Sequence, residues 1–201
     1  MYKRQIGVLK AEKIKFSPPL PSRKIKALDG ISMTYSNRVL MQLKKKFYGK
    51  FKNDTNFYIK CNSNGAKSPE TIAYGLLKMS GTNVCLFGIS GQFSKDLENE
   101  GSEAMIDFVL NKLKSTFGSK FYEKYFIKAM ATGWANNPFT LGAYSGGVPG
   151  KSKKRRDIKF PVGDRIFFAG EATAGAFSTV HGANRSGIRA ATDLYISSAL
   201  D

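Results

Sequence analysis

The sequence predicts an α+β fold, on three observations. Short apolar runs separated by Asn, Gly and Ser lie between residues 37 and 89. One amphipathic stripe covers 102–117. An apolar run at 165–169 leads through a turn of small residues into a second helical stretch. The 201 residues suit one large domain or two small ones, and 42% apolar side chains can fill a core.

Taken in order, residues 6–21 hold a short apolar piece, a basic stretch and the run FSPPLP. Pro18, Pro19 and Pro21 bar a helix or a central strand in that run. Ser22 is a candidate cap for a short helix through Leu28, which Gly30 ends. NRVLMQL (37–43), NFYIKC (56–61), TIAYGLL (71–77) and NVCLFGI (83–89) read as strands, and a meander of antiparallel strands would join them. The strongest helix is 102–117. Ser102 is its candidate cap, and Glu103 suits the positive end. Met105, Phe108, Val109, Leu113 and Phe117 form one stripe before Gly118 closes it. KYFIKAM (124–130) reads as a strand. The segment GWANNPFTLGAYSGGVPG (133–150) is rich in Gly, Pro and aromatics and poor in charge, unlike an ordinary solvent loop. KSKKRRDIK (151–159) reads as an exposed basic loop.

Ile166–Ala169 is a continuous apolar run, the pattern of a strand buried on both faces as in a parallel sheet. The last helix runs from about Thr179 to Leu200, with Val180, Ala183, Gly187, Ala190 or Ala191, and Leu194 on one stripe. Its N-terminal end attracts anionic groups, and Gly170, Gly175 and Gly182 let a ligand approach the backbone. Ligand binding and plain tight packing of strand on helix both satisfy this pattern.

Thirty-two Lys and Arg against 15 Asp and Glu give a net charge of +17. Such a balance favours acidic partners, although Lys residues spread over the whole chain among many Asn also read as solvated faces. Cys61 and Cys85 are too few for a disulfide framework or a cysteine zinc site, and each sits in a strand-like run that predicts a buried thiol. His181 is the single histidine, which excludes multi-histidine metal sites. No apolar run approaches the ~20 residues of a membrane span, and the basic opening lacks the apolar stretch of a signal peptide, so a cytoplasmic protein is expected.

FFAGEAT followed by TVHGANRSGIRAA resembles the C-terminal FAD-binding segment of the flavin-containing amine oxidases, a family that includes monoamine and polyamine oxidases and the flavin-type histone lysine demethylases. IGVLKAEKIKFSPPLP, with YSNRVLMQLKKKFY after it, and GWANNPFTLGAYS resemble two more of the family's stretches, in the family's order. The likeness runs from about Ile6 to Leu200, and is loose between 50 and 130. It implies an α/β-type amine oxidase half. Residues 1–160 would form a mixed-sheet substrate-binding domain with flanking helices. Residues 161–201 would supply the last strand, Gly-Glu turn and helix of an incomplete FAD-binding domain.

The same resemblance implies FAD as cofactor and an amine as substrate. In that chemistry hydride passes to flavin N5, the imine hydrolyses and peroxide is released. Gly170 and Glu171 match the turn along the cofactor's polar chain, where Glu171 either hydrogen-bonds the cofactor or only holds the loop. Thr179 and Val180 match the helix start facing the flavin's pyrimidine edge. His181 matches the family's histidine and reads as structural. Tyr144 matches the aromatic that walls the substrate amine, and Trp134 would belong to the cofactor or substrate wall. Both also suit an ordinary core. Arg38 stands where many members carry a Lys bridged through water to flavin N5. Its planar fork has a different reach, and a structural role in the strand is the alternative.

The family's GxGxxG unit is missing from the sequence. A separate chain supplying the N-terminal half, or a truncated gene, is therefore expected. The competing readings are an inactive remnant and a basic module binding nucleic acid or acidic surfaces through KSKKRR, although no aromatic residues are interleaved with that run.

Overall fold

The computed structural model describes residues 5–58 and 72–199. In chain order its first elements are α1 (Ile6–Lys10), α2 (Ser22–Leu28), β1 (Ile31–Thr34), β2 (Ser36–Leu43), β3 (Thr55–Phe57), β4 (Ile72–Leu77) and β5 (Val84–Ser90). There follow α3 (Gln92–Glu100), α4 (Ser102–Phe117), α5 (Phe121–Tyr125), β6 (Phe126–Ala131), β7 (Tyr144–Gly147), α6 (Arg155–Ile158) and α7 (Val180–Ser198). The α+β class stands. Two compact units divide the chain, one of Tyr35–Asn136 and one of the flanking segments through Thr34 and from Asn137. The sequence boundary at 160/161 falls inside the second of these.

The Tyr35–Asn136 unit is built on a five-stranded sheet in the order β3-β4-β5-β2-β6. The expected meander accounts for β3, β4 and β5, while β2 inserts between β5 and β6. Every pairing among the described strands is antiparallel, so the sheet is not the mixed one expected. Of the run 56–61, Asn56 and Phe57 lie in β3 and Tyr58 does not, while residues 59–61, Cys61 included, fall outside the described residues. Along β2 the side chains alternate: Val39, Met41 and Leu43 are fully buried, and Arg38, Leu40 and Gln42 half-buried on the opposite face.

Helix α4 buries Met105, Ile106, Val109, Leu110 and Leu113 in the same core as Val39, Met41 and Leu43. Phe108 and Phe117 of the predicted stripe lie at its margin. A wholly buried aliphatic side chain of this kind contributes about 1.5–3 kcal/mol. Phe47 centres an aromatic group with ring centroids of Tyr48, Phe51, Phe117, Phe121 and Tyr125 at 5.2–5.4 Å. Neither expected serine cap forms. Gly101 occupies the capping position before α4, and Pro21 that before α2, which makes Ser102 and Ser22 the first helical residues. Gly118 does close α4, at φ 101°.

In the other unit β1 and β7 pair antiparallel from Ile31 with Gly147 to Thr34 with Tyr144. Ile6, Ala27, Leu28, Ile31, Ile158 and Ala172 form its core. The segment 133–150 thus contains a strand. The basic run is also not a free loop. It folds into a 3₁₀ turn, Ser152–Lys154, and α6, with Arg155 and Ile158 buried. The buried Lys24 ammonium ends α6 by donating to the carbonyls of Asp157, Ile158 and Phe160.

The predicted strand at 165–169 is reduced to one bridge, between Val162 and Ile166. A strand needs a neighbouring ladder, and here side chains take the backbone groups instead. Arg189 donates to the Phe168 carbonyl at 2.8 Å, and the Gly170 N–H donates to Ser186 Oγ at 2.9 Å. Helix α7 forms where predicted, and the middle of the predicted stripe is at least partly buried, at Ala183, Gly187 and Ala190, but its ends are not. Gly182, Ser186 and Ala190 are inside, while Val180 is 89% and Leu194 50% exposed. Close packing selects the small residues: a Cβ at Gly182 would lie 1.9 Å from the Ala176 carbonyl oxygen. Among the described residues no helix is long and apolar enough to cross a membrane.

Candidate functional site

Gly170 turns the chain at φ 123°, a value that favours glycine, and a Cβ there would meet nothing within 4 Å. One side of the turn is therefore open. The next residue, Glu171, uses both carboxylate oxygens. It accepts from the Ser145 N–H at 2.9 Å, the Ser145 hydroxyl at 2.7 Å and the Ser178 N–H at 2.8 Å. Ser178, at φ 60°, donates its hydroxyl to the Ser145 carbonyl at 2.6 Å. The buried Arg155 guanidinium donates to Ser145 Oγ at 2.8 Å and to the Ala172 carbonyl at 3.2 Å. It lies 4.0 Å from the centroid of the Phe177 ring. Burial lowers the pKa of Arg155, and the charge of Glu171 partly offsets this.

This network ties β7 to the Gly170–Glu171 turn and to the start of α7. Tyr144, exposed, opens β7 opposite Thr34, whose hydroxyl donates to the Tyr144 carbonyl at 2.8 Å. Thr179 caps α7 by accepting from the Gly182 N–H at 3.1 Å, and its hydroxyl lies 3.4 Å from Nε2 of His181. Val180 follows as the first, exposed helical residue. Tyr144, Gly170, Glu171, Thr179 and Val180 thus belong to one unit and to one bonded neighbourhood. Ser145, Arg155 and Ser178 were not singled out by sequence reasoning. Arg155 was hidden in a charge run, and its only signal was the Ile158 that buries the same helical turn.

Arg38 and Trp134 belong to the Tyr35–Asn136 unit. The Arg38 guanidinium is held along its own strand, donating to Ser36 Oγ at 2.9 Å and to the Asn37 carbonyl at 3.0 Å. It also lies 4.7 Å from the centroid of the Tyr74 ring. Trp134 is exposed, and its N–H donates to Asn37 Oδ1 at 3.3 Å. Among the described residues no three His, Cys, Asp or Glu side chains gather to hold a metal ion.

A family model described as flavin containing amine oxidoreductase matches residues 5–195. The chain belongs to the flavin-containing amine oxidoreductases.

Among curated relatives, this amine oxidoreductase chain is 29% identical over 192 residues to polyamine oxidase 2 of Arabidopsis thaliana. It is 32% identical over 193 residues to lysine-specific histone demethylase 1 homolog 2 of Oryza sativa subsp. japonica. Each match covers 94% of the chain but only 37% and 25% of those proteins, so the chain spans about a third or a quarter of their length. A solved structure of wild-type putrescine oxidase bound to putrescine superposes with a TM-score of 0.74 at 20% identity. That superposition covers 96% of this chain and 41% of the other, and it shows the shared fold. The residues at the turn fit the family's flavin. Gly170 leaves a face where a ligand can approach the backbone, and α7 presents a capped N-terminal end beside it.

Proposed function

We propose that this chain is a portion of an FAD-dependent amine oxidoreductase that works with a nucleotide-binding half. The observation that carries the reading is the open Gly170–Glu171 turn, bonded through Ser145 both to Tyr144's strand and to the start of α7. In this reading residues 1–160 serve the amine and 161–201 the cofactor. The names of the relatives suggest a polyamine or a lysine-borne amine as substrate.

When bound, the flavin supplies the acceptor for hydride from the amine's C–H, after which the imine hydrolyses and oxygen is reduced to peroxide. The protein's part is orientation and electrostatics. The amide dipoles at the start of α7, with Thr179 and Val180, would favour negative charge on a flavin held there. Glu171 holds the turn and can accept further hydrogen bonds from the cofactor's polar chain, since a carboxylate has about four acceptor positions. Tyr144 offers an aromatic wall for the amine; Trp134, in the other unit, is read separately as part of a cofactor or substrate wall. Arg38 keeps a positive charge at the position of the family's lysine, held by Ser36 and Asn37.

The remaining half is expected to cover the exposed Ile188, Leu194, Tyr195 and Ile196 of α7. Burial of Arg155 within the basic run leaves less of that run for an acidic partner. The test is the visible spectrum of the chain purified alone and with a candidate N-terminal half. Bands near roughly 370 and 450 nm would support a bound flavin and justify peroxide assays with amines. A colourless protein in both preparations after added FAD would overturn the enzyme reading in favour of an inactive remnant.

A further inference from the structure

Within the Tyr35–Asn136 unit lies a buried carboxylate that the reading above does not use. Glu98 of α3 is 8% exposed, and its amide partner, Asn37 of β2, is 1% exposed. Asn37 Nδ2 donates to Glu98 Oε2 at 2.8 Å and to Ser94 Oγ at 3.2 Å. The other groups on this pair all come from one short segment. Thr132 Oγ1 donates to Asn37 Oδ1 at 3.1 Å, and the Trp134 N–H to the same oxygen at 3.3 Å. Glu98 Oε2 accepts from the Ala135 N–H at 3.1 Å, and Oε1 from the Asn136 N–H at 2.8 Å. Three consecutive backbone N–H groups after β6 therefore point at one Asn–Glu pair.

A charged acceptor is chemically apt. Hydrogen bonds to a carboxylate are roughly twice as strong as neutral ones. Leaving three adjacent donors unpaired beside a buried group would cost far more than leaving them in water. Glu98 is engaged within the protein, accepting from Asn37 and from the Ala135 and Asn136 N–H groups. Its use is to hold that segment, and the side chain so held is Trp134, which stays exposed while its backbone is anchored.

We propose that Glu98, through Asn37, is a positioning residue that fixes Trp134. The functional meaning of that placement rests on the reading of Trp134 as part of the cofactor or substrate wall. The anchoring itself does not rest on it. Glu98→Gln tests the anchoring, because it keeps the size of the side chain but turns one acceptor into a donor facing an N–H. Ser94→Ala is the comparison, because it removes a contact to Asn37 without touching residues 134–136.

Hydrogen exchange on the unsubstituted protein comes first and needs no variant to fold. The amides of residues 134–136, outside any helix or strand, should be protected on the order of a hundredfold or more. Unprotected amides would overturn the proposal. In Glu98→Gln, with an unchanged far-ultraviolet circular dichroism spectrum, that protection should fall about tenfold or more. Emission from Trp134, the single tryptophan, should shift to the red and become more open to acrylamide quenching. Ser94→Ala should leave both nearly as they were. Equal changes in the two variants, or none in Glu98→Gln, would overturn it. In a flavin-loaded preparation that turns over an amine, Glu98→Gln should raise KM by more than it lowers kcat. Absence of flavin or turnover in the unsubstituted protein sinks the amine-site reading alone, while exchange and fluorescence still decide the anchoring.

Discussion

Lys24 carries an ammonium group at 5% exposure, with the Phe168 ring 4.1 Å away. Burial pushes its pKa down from 10.5 to about 8, against the pull of Asp157 and with smaller help from Arg189 and Arg23. Below about pH 8 the folded and unfolded chains both hold this proton. Between about 8 and 10.5 the folded chain releases it while the unfolded chain keeps it. The unfolded state then binds more protons, so stability rises with pH through that window. Urea titrations from pH 7 to 10 should show the unsubstituted protein gaining on Lys24→Met, by on the order of 1 kcal/mol per pH unit at most. A falling difference would contradict the assignment. Glu171 gives a second expectation. Glu171→Ala strands the donors of Ser145 and Ser178 and should cost about 1–3 kcal/mol in a denaturant titration. Cys85 gives a third. Burial pushes its thiol pKa up, and Tyr48 Oη lies 3.1 Å from its sulfur. Maleimide labelling followed by peptide mass spectrometry should leave Cys85 unmodified until denaturant is added.

At the scale of elements, helix α7 is the sharpest case. Gly182→Ala should destabilise the fold by about 2 kcal/mol or more, since the new methyl group meets backbone at Ala176. A melting temperature equal to that of the unsubstituted protein would refute the close approach. The position of α7 was readable from the sequence, because a helical run is a local signal; Thr179, read as about its first residue, is its cap. The helix's buried face was legible only in part. Ala190 of the predicted stripe is inside, but periodicity also favours the large Val180 and Leu194, whereas Gly182 and Ser186 are inside because their small size permits contact. The strand at 165–169 failed for a related reason: apolar character is written in the run, but a ladder depends on a neighbour. Helix α4 and strands β2, β4 and β5 were legible because one core takes up much of their apolar pattern. Motif likeness singled out Gly170, Glu171, Thr179, Val180 and Tyr144, which the structure places in one unit. The serines and the arginine that bind them together come from distant segments and carry no joint signal.

For the molecule as a whole, the exposed apolar residues of α7 are the feature with a consequence in solution. Ile188, Leu194, Tyr195 and Ile196 are each at least half exposed. Large apolar side chains exposed along one helix favour association. Light scattering on the purified chain should detect species larger than the monomer, and Ile188→Glu with Ile196→Glu should reduce them. A strictly monomeric chain at high concentration would count against an interface there. The net charge of +17 opposes association at low salt, so raising the salt concentration should increase the effect.

The alternation along β2 bears on which genetic changes the chain can absorb. β2 pairs with a neighbour on each side, and its odd-numbered side chains from Val39 to Leu43 lie in the core. Losing one codon just before Val39 would exchange the two faces and bring Leu40 and Gln42 inward. Point substitutions at Leu40 or Gln42 touch only half-buried positions. In a library of variants, β2 should therefore accept many replacements there and almost no single-residue deletions, which makes it the segment that keeps the reading frame of the fold.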